Sequence, residues 1–453
     1  RFGHQLSSNG ERERYRGESL RPAGQHYAPE NPFEYLPSSR RGGPVEVPAT
    51  LTELRTEPKK YEYVILGAGC AGLSVCYYLL QQGVTAPILI LDQKERFHDD
   101  RTWCFWDVEP TPFSHLATGR WNSWSIEGEG RRITQTSERY PYLCLTAADF
   151  YRHILEAIAE YPNVTLRLGE AAESYKELTD TTYVATSQRA YEARYVLDGR
   201  GLPPGSPVFE EARRESVWVP QRFVGLRLRA ARDVFDTGSC KLMDFSVGQS
   251  RGLRFVYVLP FSAREALVEN VYLCEGELPP EEHRAEIQNY LRSVYGLDPS
   301  EYTIDGEERG YIPMTDHKFS RRLGERAYAI GMLGGESRPS TGYTFLRIQR
   351  YCRALAAELA AGKEPPTGIS PRRLSILDAV FLRFMRTHPD RCPGIYPRMF
   401  AGVPTASLVR FLTEKSTISD EASLIEALPK TPFVGVVGRM CFEARHATGT
   451  DTG

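Results

Sequence analysis

The feature that most restricts this fold is a glycine fingerprint set between two apolar runs. Tyr61-Glu-Tyr-Val-Ile-Leu66 reads as a short buried strand and leads into Gly67-Ala-Gly69-Cys-Ala-Gly72. Leu73 to Leu80 then carries an apolar helical pattern that Gly83 ends, and a second apolar run, Pro87 to Leu91, stops at Asp92. Gly67 permits a tight turn, Gly69 lets the backbone approach a pyrophosphate, and Gly72 lets helix and strand pack closely. The helix start offers unpaired N–H groups and the positive end of its dipole to phosphate. Asp92 follows Gly72 by 20 residues, where an acid bonds ribose hydroxyls. The context predicts a dinucleotide site, and the acid favours FAD or NAD over NADP. A glycine-rich turn with no ligand is the other reading.

The chain has 453 residues, 25% of them charged, with a formal net charge of −2. That length fits about two or three domains. The 41% hydrophobic content suffices for a sizeable core, and the near-neutral charge gives no footprint for nucleic acid. No stretch approaches the roughly 18 apolar residues of a spanning helix. The nine cysteines include no CxxC pair and the nine histidines no HxxxH pair, so no metal site is assigned and a reduced, cytoplasmic setting is expected.

Residues 1–58 are rich in Arg, Glu, Ser, Gly and Pro and keep no apolar period, so they are expected to be disordered. The expected order is then an α/β, Rossmann-like first part over 59–205, a β-rich substrate domain over 206–318, and a return to the nucleotide-binding domain over 319–364. A helical region over 365–435 and a tail over 436–453 follow. Val196-Leu-Asp198-Gly199-Arg200-Gly201 reads as a strand and sharp turn, and residues 215–315 alternate as antiparallel strands. Tyr328-Ala-Ile330 leads into the glycine loop Gly331-Met-Leu-Gly334-Gly335, and a helix runs from Thr344 to Ala361. One nucleotide-binding domain interleaved with a β-sheet insert is the organisation of flavoprotein hydroxylases and their relatives.

Within Ala266-Leu-Val-Glu269-Asn-Val-Tyr-Leu273, period two places Leu267, Glu269, Val271 and Leu273 on one face. A carboxyl alone on an apolar face is desolvated, its pKa rises, and it keeps a proton for general-acid work. An edge-strand charge or a structural ion pair with Arg are the alternatives. Asp244, in Leu-Met-Asp-Phe, has a similar signature, with a turn or strand-end acid as its alternative. In Asp100-Arg-Thr-Trp103-Cys-Phe-Trp106, the two tryptophans line an apolar slot and face a cation, or form an aromatic core patch. The loop Arg338-Pro-Ser340-Thr341-Gly342-Tyr343 opens a helix, so Ser340, Thr341 and Gly342 join Gly334 and Gly335 as second-loop cofactor candidates; a plain helix cap is the alternative. Glu336 is either a substitute cofactor acid or a solvated loop charge. In Pro371 to Arg386, the residues Leu374, Leu377, Phe381, Phe384 and Met385 share a helical face flanked by arginines, which fits an interfacial membrane helix or an ordinary core-packed one.

The glycine fingerprint followed by DRTWCFW resembles the lycopene cyclase family of bacteria and plants. So do LMDF, RFVYVLPFSAREALVE, YIPMTD, RPSTGYTF and Ile376-Leu-Asp378-Ala-Val-Phe-Leu382. These segments occur in the family's order over about residues 60 to 435. The resemblance implies a non-redox isomerase that folds the acyclic ψ-ends of lycopene, or of a monocyclic carotenoid, into β-rings. It implies reduced FAD, with NAD(P)H as the electron source. A proton is placed on C2, the C1 cation is attacked by the C5=C6 bond, and C6 loses a proton to the same carboxylate or to the flavin. The family's proposed acid maps onto Glu269. A substrate that lives in lipid implies peripheral contact with a membrane. The alternatives are a redox flavoenzyme of the same fold, such as an isoprenoid reductase or a monooxygenase, and a non-catalytic carrier of carotenoid or flavin.

Overall fold

The computed structural model describes residues 44–52, 60–273, 276, 278–368 and 370–447. Three sheets organise them. The first has seven strands around a parallel core in the order Val164–Leu168, Ile88–Asp92, Tyr61–Leu66, Ala190–Asp198, with Ala327–Ala329 returning parallel to Ala190–Asp198. An antiparallel ribbon, Thr182–Thr186 and Ala172–Glu177, extends it. Continuous apolar sequence is required here because both faces are covered. Tyr63, Ile65, Ile88 and Ile90 pack on the helices Cys70–Gln81, Ala147–Ala159 and Phe345–Ala360, while Val64, Leu66, Leu89 and Leu91 pack on Val184 and Tyr191.

The second sheet also has seven strands, in the order Tyr302–Thr315, Trp218–Ala230, Glu265–Leu273, Leu253–Pro260, Cys240–Asp244, Ser123–Gly128, Arg131–Thr136. Two of these strands come from within 59–205, so the insert begins earlier in the chain than its alternating pattern indicated. Leu253–Pro260 and Glu265–Leu273 form the expected hairpin. One face of the sheet packs on the helix Pro280–Tyr295 through Val224, Leu226, Val256 and Val268. The other carries Leu267, Val271, Leu273 and Met314 toward the C-terminal helices. A small third sheet, Thr102–Trp106, Tyr142–Thr146 and Gly119–Trp121, presents the DRTWCFW segment.

Two departures from the sequence reading have physical causes. Residues 44–52 are packed: Val45 bridges Phe97, and Leu51, on a one-turn helix, is buried in the core of the first sheet. Residues 1–43 and 53–58 lie outside the described residues. The helix Arg372–Thr387 turns its apolar face inward, with Leu374, Phe384 and Met385 buried in the core and Leu377 and Phe381 packed against it, so that face is not an interfacial membrane surface. The helix Lys430–Ala447 extends well past 435. Among the described residues, no helix is long and apolar enough to cross a membrane.

Candidate active site

A cavity of about 260 Å³ lies between the second sheet, the third sheet, the loop before Phe345 and the C-terminal helices. Its wall is rich in aromatic side chains, with Trp103, Tyr142, Phe223, Phe255, Tyr257 and Tyr343 among its members. Among the polar residues of the wall, which include Asp100, Arg101 and Arg309, are two carboxyls from the second sheet, Glu269 and Glu308. They come from different strands but share a row, since Gly225 is in register with Glu269 on one side and with Glu308 on the other. A Cβ on Gly225 would lie 2.8 Å from Glu269 Cγ and 3.1 Å from Glu308 Cγ, so only glycine leaves room for both. The two side chains are neighbours across that glycine. Thr102 Oγ1 donates to Glu308 Oε2 at 2.6 Å. Burial, reinforced by the Glu308 charge, holds the Glu269 carboxyl well above the ordinary range. The raised Glu269 carboxyl therefore offers an acidic proton to the cavity. On the neighbouring strand Tyr257 is in register with Glu269, and its phenol shares a 3.0 Å hydrogen bond with the Tyr142 phenol.

The glycine loops lie at the C-terminal edge of the first sheet. Gly67 has φ +94 and packs on Gly199, and a Cβ on Gly72 would overlap the Gly67 carbonyl oxygen. Gly69 differs: a Cβ there meets nothing within 4 Å, and it caps the helix Cys70–Gln81 with no side-chain hydrogen bond. Open space over uncapped N–H groups is a cradle for phosphate. Asp92 ends the adjacent strand, accepting from Ala68 N at 2.6 Å and Lys94 N at 2.9 Å. A carboxylate has about four acceptor sites, so two such bonds leave capacity for a hydroxyl. The second loop meets the first where a Cβ on Gly331 would lie 3.0 Å from the Ala71 Cβ. Gly334 is buried and Gly335 takes φ +78 beside it. Ser340, Thr341 and Gly342 line the large cavity, which links this edge to Glu269.

The family model described as lycopene cyclase protein matches residues 62–436. The chain belongs to the lycopene cyclase family. It is 25% identical over 394 residues to the lycopene beta-cyclase of Pantoea ananas, covering 83% of this chain and 97% of that one. It is 28% identical over 397 residues to the lycopene beta-cyclase of Paracoccus sp., covering 82% and 95%. Among solved structures, a geranylgeranyl bacteriochlorophyll reductase-like protein from Thermoplasma acidophilum has a TM-score of 0.57 at 12% identity, over 84% of this chain and 98% of that one. A flavoprotein/dehydrogenase from Cytophaga hutchinsonii has a TM-score of 0.52 at 14% identity, over 81% and 99%. The flavin-dependent brominase Bmp2 also has a TM-score of 0.52 at 12% identity, over 85% and 100%. The shared fold is that of flavoprotein enzymes.

In this family member the site residues expected from sequence separate into two groups. Glu269 and Trp103 line the cavity. Asp244 does not: it is fully buried on the opposite face of its sheet, accepting from Tyr290 at 2.6 Å and from Ser246 N at 3.0 Å, beside Lys241 Nζ at 3.2 Å. Burial acts to raise its pKa, but the Ser246 and Tyr290 hydrogen bonds and the Lys241 charge outweigh it, so Asp244 is held below the ordinary range as a structural anion. A register shift after Lys241 breaks the alternation that would have set Asp244 beside Leu242 on the cavity side. Trp106 is also off the cavity wall, buried against Trp124, Tyr142 and Tyr343. Three residues along a strand reverse the face, so Trp103 and Trp106 of Thr102–Trp106 point opposite ways. Glu336 is no solvated loop charge: it is fully buried, bonded by Arg321 Nε at 3.1 Å, and burial, opposed by Arg321 and Arg347, pushes it up to about 7.

Other residues came to the site without being singled out by sequence. Glu308 lies in Glu307-Glu308-Arg309, which reads as a solvated charge run, although period two from Met314 and Ile312 leads back to it. Asp378, quoted only as part of a motif, accepts from buried Arg338 at 2.9 Å and from the Ser340 hydroxyl at 2.6 Å. Arg338 donates further to the Phe411 carbonyl at 2.6 Å. The Ser340 side chain thus fastens the second loop to the C-terminal helices, and only its backbone is left to meet a ligand.

Proposed function

We propose that this chain converts the acyclic ψ-ends of lycopene, or of a monocyclic carotenoid, to β-rings, and that Glu269 is the acid. The carrying observation is a buried carboxyl with a raised pKa on the wall of an aromatic cavity. Glu269 places its proton on C2. The resulting C1 cation is attacked by the C5=C6 bond, closing the ring, and loss of the C6 proton leaves a β-ring. The wall contributes in two ways. It keeps water from trapping a tertiary cation as an alcohol. Its aromatic faces, Trp103, Phe223 and Tyr257 among them, attract positive charge, by roughly 0.5–2 kcal/mol for each well-placed ring.

The open cradle at Gly69, with Gly67, Gly72 and Asp92, fits FAD, and Gly334, Gly335 and the backbone of Ser340, Thr341 and Gly342 complete its holding set. Reduced FAD supplies negative charge beside the cavity when bound, with NAD(P)H as the source of its electrons. The apolar substrate calls for peripheral contact with a membrane. Ile376, Val434 and Val437, exposed on two packed helices, supply an apolar surface for it.

The test is an anaerobic assay with lycopene in liposomes, chemically reduced FAD and no nicotinamide. Products of unchanged mass carrying β-rings support the proposal. A product two mass units away, or one carrying oxygen, supports instead a redox flavoenzyme such as an isoprenoid reductase or monooxygenase.

A further inference from the structure

The ring closure leaves one step without an assigned group, the removal of the proton from C6. Both proton transfers occur at carbons bonded to C1 once the ring has closed. C2 receives a proton and C6 loses one. A single carboxyl can do both in turn, but only if its donor oxygen is also placed for C6. Two carboxyls side by side, one protonated and one ionised, meet the demand without rearrangement.

The row through Gly225 has that composition. Among the described residues, no hydrogen bond to the Glu269 carboxyl is seen, whereas Glu308 accepts from Thr102 Oγ1 at 2.6 Å. The Thr102 hydroxyl thus already directs a hydrogen bond at Glu308, which leaves Glu269 as the member of the pair placed to donate and Glu308 as the one placed to accept. Glu308 also occupies a distinctive place between two cavities. It lines the aromatic cavity on one side, and on the other a second cavity of about 260 Å³ bordered by Asp99, Arg227, Arg229 and Asp305. That second cavity reaches solvent at Arg229, whose side chain is 41% exposed.

We propose that Glu308 is the base of the cyclisation: its carboxylate takes the proton from C6 and exchanges it with water in the second cavity, and Glu269 is reprotonated from solvent before the next ring closes. The inference rests on the cyclase reading. Each cycle is balanced. The Glu269 O–H bond breaks as C2–H forms, the C1–C6 bond forms from the C5=C6 pair, and the C6–H pair becomes the new C5=C6 bond as Glu308 gains the proton. No oxidant or reductant is consumed. Thr102 is the positioning residue that keeps Glu308 in its acceptor state.

The experiment compares the wild type with Glu308→Gln, Glu308→Asp and Thr102→Val in the anaerobic lycopene assay, with FAD affinity measured by fluorescence. Glu308→Gln is expected to bind FAD as the wild type does and to lose β-ring formation by on the order of 100-fold. Its residual products shift toward rings with the double bond at C4–C5, because the C5 cation then loses its proton elsewhere. Glu308→Asp restores β-rings in part. Thr102→Val, which removes one hydroxyl at nearly constant volume, slows β-ring formation and shifts the ring ratio the same way, and it carries the test if Glu308→Gln does not fold. Wild-type rate and ring ratio in a folded, FAD-bound Glu308→Gln or Thr102→Val protein would overturn the proposal. A wild type that forms no β-rings at all would instead overturn the cyclase reading beneath it.

Discussion

Glu269 and Glu308 stand in one row of the second sheet with Gly225 between them, and the missing side chain of that glycine is what lets the two side chains be neighbours. Gly225→Ala puts a methyl 2.8 Å from Glu269 Cγ and 3.1 Å from Glu308 Cγ and Leu267 Cδ1. The expected cost is about 1–3 kcal/mol of stability from overpacking. Turnover should fall by about 100-fold as the acid is displaced from its reacting carbon. Steady-state kinetics on folded protein, with denaturation alongside, separates the two effects.

The pH dependence follows from the raised Glu269 pKa. Facing this group are Glu308 across Gly225, the Cys104 and Cys144 thiols, and the Tyr257 phenol; Asp99 and Arg227 lie beyond Glu308. An acid must be protonated to act, so activity persists below the raised pKa and is lost as pH rises through it. The unfolded chain ionises near pH ~4.3, while the folded site keeps its proton to higher pH. Stability from this group is therefore complete below the unfolded value and declines as pH rises through the folded one. Glu269→Gln should equal the wild type in stability at pH 4 and exceed it at pH 8 while losing turnover. Urea denaturation at both pH values checks this.

The Arg338–Asp378 pair, almost wholly buried, ties the second loop to the helix Arg372–Thr387. Asp378→Ala leaves a buried guanidinium without its hydrogen-bonded carboxylate, with only the Glu414 charge nearby, and also frees the Ser340 hydroxyl. A loss of about 3–5 kcal/mol is expected. A shift of less than ~1 kcal/mol, the value typical of exposed pairs, would contradict the structural role given to this contact.

Gly69→Ala separates ligand binding from folding. The new methyl meets no protein atom within 4 Å, and the residue's φ of −88 suits alanine, so stability should change little. The methyl does enter the space assigned to a pyrophosphate, and FAD affinity should fall at least tenfold by titration. Gly72→Ala, which would overlap the Gly67 carbonyl oxygen, should instead fail to fold normally.

Where the backbone is regular, the sequence pattern carried the structure. The strand Tyr61–Leu66, its glycine turn and the helix Cys70–Gln81 were legible because periodicity and glycine spacing act over a few residues. Glu269 was legible because Glu265–Leu273 pairs without a shift on both sides. Asp244 was not, because the register shift beside it reverses the face on which alternation places it. Trp106 shared a motif with Trp103 but not a face. Glu308 was hidden by its charged neighbours Glu307 and Arg309, and Gly225 gave no local signal, because its importance arises only when three strands meet. The apolar face of Arg372–Thr387 fits a core as well as a membrane, and only tertiary packing decided between them.

The central claim is that Glu269 delivers a proton to C2 with no net redox change. The most direct measurement is the anaerobic reaction in D2O with reduced FAD, comparing the wild type with Glu269→Gln at equal FAD occupancy. The account predicts one deuterium at C2 for each β-ring formed by the wild type, and no ring formation by the variant. Rings formed by Glu269→Gln at the wild-type rate, with the same label at C2, would contradict it.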